Sequence, residues 1–227
     1  MLIEARGVTK VYGSGRTAVR AVSGVSFSID RGELVLLMGP SGSGKTTLLT
    51  LISGLLKPTS GEIYIDGVEI TKLSQRELAR LRLEKIGFIF QHFNLLSALT
   101  ALENVMVPLL IKGEGKEEAR ARAEELLRAF GLAERMHHLP EDLSGGEQQR
   151  VAVARAVVAK PEIIIADEPT ANLDSKKGRE VMELIRERVE QGRCAIIASH
   201  DPRVKSFADR VLYMEDGMLK NSPDEYP

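Results

Sequence analysis

Short apolar runs separated by turn residues fill the first third of the chain. The runs lie at residues 26–29, 34–38 and 63–65, and turns that include Gly32 and Gly67 follow two of them. Alternation of this kind, with glycine at the turns, is typical of short β-strands. We therefore predict several strands in this region, some of them antiparallel.

The middle of the chain changes to a helical period. Residues 74–83 and 116–130 have this period, and the second stretch carries an apolar stripe among charged neighbours that ends at Phe130. Within it, Glu118 and Arg122 are spaced i,i+4, which is typical of a solvated helix face. We predict helices of an inserted lobe here and assign no binding role to their charges.

Continuous apolar runs return in the last third of the chain. They occupy residues 163–166, 195–198 and 211–214, and a helical pattern at residues 176–190 separates the first two. Strands buried on both faces have this unbroken apolar character, and crossover helices connect parallel neighbours. The pattern predicts an α/β fold with a mostly parallel core sheet and an antiparallel β lobe from the N-terminal third.

A glycine-rich loop carries the strongest chemical signal. The segment GPSGSGKT follows the apolar run LVLLM and precedes the helical run TTLLTLISGLL, which matches the phosphate-binding pattern G-x-x-x-x-G-K-[ST] in its strand-loop-helix setting. Glycines let backbone N–H groups converge on phosphate oxygens. Lys45 would contact the β- and γ-phosphates of ATP, and Thr46 would offer its hydroxyl to Mg²⁺. The predicted ATP-binding residues of this phosphate loop are Gly39, Pro40, Ser41, Gly42, Ser43, Gly44, Lys45, Thr46 and Thr47.

Two adjacent carboxylates end the apolar run IIIADEP. Carboxylates at the end of a buried strand are unfavourable unless a cation or a proton accompanies them, whereas a solvated acidic turn rarely follows three isoleucines. Asp167 is predicted to hold the Mg²⁺ shell, and Glu168 to orient and deprotonate the attacking water. Because Glu168 is a carboxylate and not an amide, we predict ATP hydrolysis as well as binding.

A third segment, LSGGEQQR, lies between the two phosphate motifs and begins a second helix. Its start would bind an anion, although the phosphate loop already occupies one side of the triphosphate, so this second site must serve another nucleotide. At this segment the chain resembles the ABC ATPases. The resemblance implies a homodimer in which two cassettes pair head to tail and each closes over the ATP of the other. The predicted residues of this signature segment are Leu143, Ser144, Gly145, Gly146, Glu147 and Gln148.

The resemblance assigns four smaller motifs, which occur in the order of the family. Tyr12 resembles the aromatic residue that stacks on adenine, with an ordinary strand aromatic as the alternative. Gln91 resembles the glutamine that reaches Mg²⁺ and the attacking water, and its position in the order is what distinguishes it from any other glutamine. Asn172 and Asp174 resemble the loop that communicates across the dimer. His200 resembles the histidine that contacts the γ-phosphate.

Composition and charge narrow the class of protein. The chain is 43% hydrophobic and 28% charged, as in ordinary globular proteins, and 31 basic against 32 acidic residues give no reason to expect a nucleic-acid partner. Cys194 is the single cysteine and lies in an apolar run, so we expect a core residue and a reducing compartment.

No apolar run approaches the roughly 18–20 residues of a membrane-spanning helix. The adjacent His137 and His138 have no cysteine or acidic cluster to complete a zinc site.

The resemblance extends over residues 8–218 and predicts a phosphate-loop ABC ATPase fold in a single domain, 1–227. Residues 1–92 and 160–220 are expected to form the nucleotide-binding core with its β lobe. Residues 93–159 are expected to form the helical lobe with the signature segment, and 221–227 a tail.

The segment IGFIFQHFNLLSALTALENVMVPLL most resembles the lipoprotein-release and macrolide-export group, which includes the cell-division ATPase. Glu147, where many relatives have glutamine, and Ser199, where threonine is frequent, are mild departures. The resemblance implies a separate integral membrane permease and a cytoplasmic location at the inner face of the membrane. Transmembrane mechanical signalling without cargo is the alternative. An ABC ATPase acting on DNA or ribosomes usually needs a coiled coil, a tandem cassette or a basic extension, and we recognise none in the sequence.

Overall fold

The computed structural model describes residues 1–220, and the predicted tail at 221–227 lies outside them. The strands in this part of the chain are β1 (Ile3–Tyr12), β2 (Val19–Ile29), β3 (Leu34–Met38), β4 (Ser60–Ile65), β5 (Val68–Glu69), β6 (Ile86–Ile89), β7 (Ile163–Asp167), β8 (Cys194–Ala198), β9 (Arg210–Glu215) and β10 (Met218–Lys220). The α-helices are α1 (Lys45–Ile52), α2 (Gln75–Lys85), α3 (Ala101–Ile111), α4 (Lys116–Ala129), α5 (Gly145–Val157) and α6 (Ser175–Glu190).

The central sheet has the strand order β10-β9-β3-β8-β7-β6. All neighbouring pairs are parallel except β9 and β10. Ala198 at the end of β8 pairs with Leu37 on one side and with Asp167 on the other. The carboxyl ends of β3, β7 and β8 therefore lie side by side, which is where ligands bind in open α/β sheets.

Both faces of the central sheet are covered, which explains the unbroken apolar runs. In β3, Leu34 and Leu36 pack with the helices α3 to α6, whereas Val35 and Leu37 pack with α1 and the second sheet. Alternate side chains of a strand point to opposite faces, so a doubly covered strand needs apolar residues throughout. The predicted parallel core follows from this burial.

The second sheet is antiparallel, with the order β2-β1-β4-β5. Ile3 of β1 pairs with Ile29 of β2 and with Ile65 of β4, and all three side chains are fully buried. The predicted antiparallel β lobe of the N-terminal third is therefore confirmed. It packs with α1 against the central sheet.

Two sequence predictions need correction. The helix that opens at the phosphate loop ends at Ile52 and not at residue 56, because Gly54 adopts a left-handed φ of 66°. A Cβ at Gly54 would lie 2.9 Å from a methyl group of Leu78, so α2 closes off the helix end. On α4, the predicted solvated face is interrupted at Arg122, which is 33% exposed and whose guanidinium lies 2.6 Å from the Glu114 carboxylate, across the turn that follows α3.

Helices α3, α4 and α5 lie within the range predicted for the helical lobe and pack together around shared apolar residues. The division of the chain at residues 93 and 159 stays a prediction. Reciprocal hydrogen bonds between an N-cap hydroxyl and a glutamate three residues later begin α2, α3 and α5. Within residues 1–220, none of the helices combines the length and apolar character that crossing a membrane requires.

Candidate functional site

The loop between β3 and α1 requires glycine at two positions. A Cβ at Gly39 would lie 2.0 Å from the carbonyl oxygen of Met214, and a Cβ at Gly44 would lie 2.2 Å from that of Ala21. Gly44 also has a φ of 103°, which L side chains rarely adopt. The loop therefore packs directly against backbone on both sides. Helix α1 begins at its end, where the free N–H groups of the first turn can bind an anion.

The Lys45 ammonium lies in the middle of this loop. Its Nζ donates hydrogen bonds to the carbonyl oxygens of Gly39, at 2.7 Å, and Pro40, at 2.8 Å. Burial lowers the pKa of Lys45, and the nearby carboxylates of Glu168 and Asp167 oppose that shift. The loop thus places one positive charge at the start of α1, and a cation beside the N–H groups of a helix start is suited to phosphate oxygens.

Asp167 ends β7 directly opposite the first turn of α1. The hydroxyl of Thr46 donates to its Oδ2 at 2.7 Å. Burial raises the pKa of Asp167, the Thr46 hydrogen bond opposes that rise, and the charge on Glu168 adds to it. A cation beside Asp167 would remove the unfavourable burial of this negative charge.

The Thr46 and Asp167 oxygens fit a magnesium ion that completes its shell from the nucleotide. Mg²⁺ prefers oxygen ligands and is commonly held by one or two carboxylates together with substrate phosphates. Within residues 1–220, no group of three or more His, Cys, Asp and Glu side chains could hold a metal by itself. The donor set therefore fits Mg²⁺ bound with ATP and does not resemble a self-contained metal site.

Glu168 is held by three hydrogen bonds at the end of the same strand. Its Oε1 lies 2.7 Å from Nδ1 of His200 and accepts from the His200 backbone N–H at 3.2 Å, and its Oε2 accepts from the Ser199 hydroxyl at 3.2 Å. Glu168 is only 7% exposed and has a left-handed φ of 50°. Backbone strain of this kind persists only where the surroundings impose it and is frequent at active sites.

These groups line one cleft of about 570 Å³ at the carboxyl edge of the central sheet. Gln91 reaches the same cleft from the residues that follow β6. Ala21, from β2, also lines it and has no signal in the sequence. The residues of the cleft are Ala21, Gly39, Pro40, Ser41, Gly42, Gly44, Lys45, Thr46, Thr47, Gln91, Asp167, Glu168 and His200.

Two predicted ATP contacts lie outside this lining in the described part of the chain. Ser43 is 3% exposed and packs beneath the loop, where its Oγ would be 2.9 Å from a Cβ at Gly39. Tyr12 ends β1 with 44% of its surface exposed, and the Lys10 ammonium lies 5.4 Å from the centre of its ring. An exposed ring of this kind is free to stack on a planar base.

The signature segment forms the start of α5, away from the cleft. Ser144 is the N-cap: its Oγ accepts from the Glu147 N–H at 3.3 Å, and its own N–H donates to Glu147 Oε2 at 2.8 Å. Gln148 donates to the carbonyl oxygens of Pro140 and Leu143. Among the residues described, no member of the signature segment lines the cleft. One chain therefore presents two separate helix starts of the kind that can bind anions.

The loop of Asn172 and Asp174 packs against the signature segment of its own chain. A Cβ at Gly146 would lie 3.2 Å from the Asn172 carbonyl oxygen, so the two loops are in close contact. The Asp174 carboxylate caps α6 by accepting from the N–H groups of Lys176 and Lys177, and the Lys177 N–H is the main cause of its lowered pKa. The loop of Asn172 and Asp174 and the signature segment, predicted separately, are thus in contact within one chain.

A half-buried arginine and a buried asparagine hold residues 91–100, the Gln91 loop, and the sequence does not reveal them. The Arg155 guanidinium, from α5, donates to the carbonyl oxygens of Phe93 and Asn94, both of which have a positive φ. Asn104 is fully buried and bonds to backbone groups of Leu96, Leu99 and Thr100. Neither residue belongs to a motif with characteristic spacing.

Known proteins share this arrangement. A family model described as "ABC transporter" matches residues 22–171. The chain belongs to the ABC transporter family. It is an ABC-type ATPase, which confirms both the resemblance read from the signature segment and the predicted class of enzyme. An uncharacterized ABC transporter ATP-binding protein of Methanocaldococcus jannaschii is 48% identical over 224 residues, covering 96% of this chain and 95% of that protein.

Solved structures confirm the ABC ATPase fold. The M. jannaschii cassette, as a dimer in a post-hydrolysis state bound to ADP and phosphate, superposes with a TM-score of 0.93 at 45% identity over 96% of this chain and 97% of that one. A second dimeric structure of the same cassette also gives a TM-score of 0.93. At this identity the likeness extends to the whole cassette.

Other relatives of this ABC ATPase are longer. An uncharacterized ABC transporter ATP-binding protein of Mycobacterium bovis is 51% identical over 216 residues, and the chain spans 65% of its length. The macrolide export ATP-binding/permease protein MacB of Wolinella succinogenes is 47% identical over 218 residues, and the chain spans 34% of its length. The similarity therefore covers the cassette portion of these proteins.

Proposed function

We propose that this ABC ATPase powers a membrane transporter by hydrolysing ATP in the cleft at the carboxyl edge of its central sheet. The observation that carries the proposal is the placement of Glu168, a nearly buried carboxylate held by Ser199 and His200 beside the phosphate loop. A general base must be fixed within reach of the attacking water, and these hydrogen bonds fix it.

The residues of the cleft have different roles in ATP hydrolysis. The phosphate loop and Lys45 bind the β- and γ-phosphates and stabilise the charge that develops on them. Glu168 orients a water molecule against the γ-phosphorus and accepts its proton as the bond to the ADP oxygen breaks, which leaves ADP and phosphate. Thr46, Asp167 and Gln91 would hold Mg²⁺, which would supply positive charge to offset the negative charge of the phosphates. His200 orients Glu168 and the γ-phosphate, and Tyr12 stacks on adenine.

We propose that two copies assemble head to tail around two ATP molecules. The separation of the signature segment from the cleft supports this arrangement, because each helix start then completes the site of the other copy. Asn172 and Asp174, which lie against the signature segment, would carry the state of one site to the other. The dimeric form of the M. jannaschii cassette supports the same proposal.

We also propose that an integral membrane permease docks near the Gln91 loop, which places the chain in the cytoplasm at the inner face of the membrane. An apolar groove of about 530 Å³ supports this: Pro108 and Ile111 from α3 line it, together with Arg155, and Ile111 is 64% exposed. Because Arg155 also holds the carbonyls of Phe93 and Asn94, a body seated in the groove would act on the Gln91 loop through one side chain.

Replacement of Glu168 by Gln tests the catalytic assignment. The amide keeps the size of the side chain but cannot accept the proton, so we expect the ATP hydrolysis rate to fall by about 100-fold or more. ATP affinity should be retained, and the ATP-bound dimer should accumulate in sedimentation analysis. Glu187→Gln, on the exposed side of α6, is the matched control and should hydrolyse ATP at the parent rate. Normal turnover by Glu168→Gln would refute the assignment.

Capture of the membrane partner tests the transport assignment. Tagged Glu168→Gln protein with ATP should retain its permease from solubilised membranes, and mass spectrometry would identify it. A partner with about four transmembrane helices and a large extracytoplasmic domain would support the lipoprotein-release and macrolide-export type. An extracytoplasmic enzyme bound to that partner would support mechanical signalling instead, whereas a many-helix partner would indicate an importer.

A further inference from the structure

Four side chains form a connected group around the start of α5. Glu147 Oε2 accepts hydrogen bonds from the backbone N–H and the hydroxyl of Ser144, both at 2.8 Å. Glu147 Oε1 accepts from Nε of Arg135 at 3.2 Å, and Nη1 of Arg135 lies 3.3 Å from Nε2 of His138. The carboxylate is thus tied at one oxygen to the signature serine and at the other to a cation outside the signature segment.

This arrangement sets an electrostatic problem for the proposed dimer. The Ser144 hydroxyl and the N–H groups of the first turn would bind the γ-phosphate of the ATP held by the other copy, while a carboxylate lies in the same turn. Hydrogen bonds from Ser144 lower the pKa of Glu147, so the negative charge persists at neutral pH. Two like charges at one helix start repel each other, and the repulsion strengthens as water is excluded.

Among the residues that the structure describes, Arg135 forms the one direct ion pair with Glu147. Arg135 lies on the short turn at Ala133–Arg135, before the signature segment, with its guanidinium 48% exposed and the Glu147 side chain 20% exposed. Arg150, four residues from Gly146 on α5, also lowers the pKa of Glu147 by its charge, and more weakly than Arg135 does. The Arg135 guanidinium is therefore the principal neutralising charge on this carboxylate.

We propose that Arg135 is a positioning residue for the nucleotide bound by the other copy: it neutralises and holds Glu147, so that the signature helix start presents no net negative charge to the incoming triphosphate. This inference rests on the proposed head-to-tail dimer. It predicts that the influence of Arg135 depends on the charge of Glu147. With a glutamine at position 147 there is no charge to neutralise, and Arg135 becomes dispensable.

Sedimentation velocity with saturating ATP tests the inference in Glu168→Gln protein. Arg135→Gln should weaken dimerisation by about 3- to 10-fold, as expected for an uncompensated charge at an interface. Arg135→Lys should stay within about twofold of the parent. The double variant Arg135→Gln/Glu147→Gln should recover the parent affinity. Arg128→Gln, which removes a cation paired with Glu124 on exposed α4, should have no effect.

Three results would overturn the inference. They are an unchanged dimer affinity in Arg135→Gln, failure of Glu147→Gln to restore it, or an equal loss in Arg128→Gln. Higher salt should reduce the difference between Arg135→Gln and the parent, because ions screen exposed charges. ATP binding by single chains, measured at concentrations below dimerisation, should be the same in all variants. If the Glu168→Gln parent itself fails to dimerise with ATP, the proposed dimer is refuted and this inference is refuted with it. If the parent dimerises but the Arg135 variants do not behave as expected, only the role of Arg135 is refuted.

Discussion

Two helix starts in this molecule carry the proposed phosphate contacts, and they differ in their surroundings. At α1 the backbone is forced through glycines against the carbonyl oxygens of Met214 and Ala21, and burial lowers the pKa of Lys45. At α5 the start is an exposed N-cap, and its carboxylate, Glu147, is stabilised by Ser144. In the proposed mechanism, the first start binds its anion between elements of its own chain. The second has one open side.

The difference indicates how one fold can bind ATP at one helix start and respond to dimerisation at the other. A loop packed against the backbone of Met214 and Ala21 has little room to move, so we expect the site at α1 to remain formed whether or not a second copy is present. The exposed start of α5 can contact a nucleotide only when a second copy brings that nucleotide to it. Its contribution to ATP binding therefore depends on association of the two copies. Helix α5 itself connects the regions, since it begins at the signature segment and holds the Gln91 loop through Arg155 near its other end.

The largest expected effect comes from disrupting the loop that precedes α1. Gly39→Ala would place a Cβ 2.0 Å from the Met214 carbonyl oxygen, so the loop must move and ATP affinity should fall by about 100-fold or more. Gly32→Ala is the control: Gly32 also has a positive φ, of 78°, but a Cβ there meets no neighbouring atom. It should reduce stability by about 1 kcal/mol and leave ATP affinity unchanged in calorimetric titration. Equal affinity in both variants would contradict the steric argument.

A smaller effect is expected from cutting the connection between the two regions. Arg155→Ala removes the donors that hold the Phe93 and Asn94 carbonyls, so kcat for ATP hydrolysis should fall by about tenfold while ATP affinity changes less than about twofold. Arg179→Ala, which breaks only an exposed pair with Glu183, should leave both unchanged. Steady-state kinetics with direct binding measurements separates kcat from affinity. A proportional loss of both would mean that Arg155 supports the loop around ATP and not the Gln91 loop.

The smallest expected effect is on the melting temperature. Removal of a carboxylate charge should raise it at Asp167 and lower it at Glu147. Burial raises the pKa of Asp167 above 3.8, so its stabilising contribution is complete below that pH and is lost as pH rises through the folded-state pKa. Asp167→Asn should therefore raise the melting temperature at pH 7 by about 2–4 °C, while Thr46 keeps an oxygen to donate to. The gain should shrink as the pH approaches 4.

Glu147 provides the matched comparison. Hydrogen bonds from Ser144 lower its pKa below 4.5, so its contribution is present above that pH and is lost as pH falls through the folded-state pKa. Glu147→Gln should lower the melting temperature at pH 7 by about 1–2 °C. Calorimetry without nucleotide measures both variants. A lower melting temperature for Asp167→Asn at pH 7 would show that its buried charge is already compensated.

Strong local patterns allowed much of the fold to be predicted. The strands β3, β7 and β8 are continuous apolar runs because both faces of the sheet are covered. Helix ends were less predictable: α1 ends early because Leu78, distant in sequence, packs at Gly54. Arg122 likewise turns to Glu114 because the turn after α3 brings that carboxylate close. Both differences depend on contacts between elements, which a local pattern does not contain.

Local motifs were enough to predict the phosphate loop, the carboxylate pair and the signature segment, because each needs particular residues at neighbouring positions. Contacts between distant elements were needed to show that Ser199 and His200 hold Glu168, that Ala21 borders the cleft and that Arg155 holds the Gln91 loop. These residues act across strands and helices that are distant in the chain. Their roles follow from where the sheet order and helix packing place them, and no spacing along the chain encodes that placement.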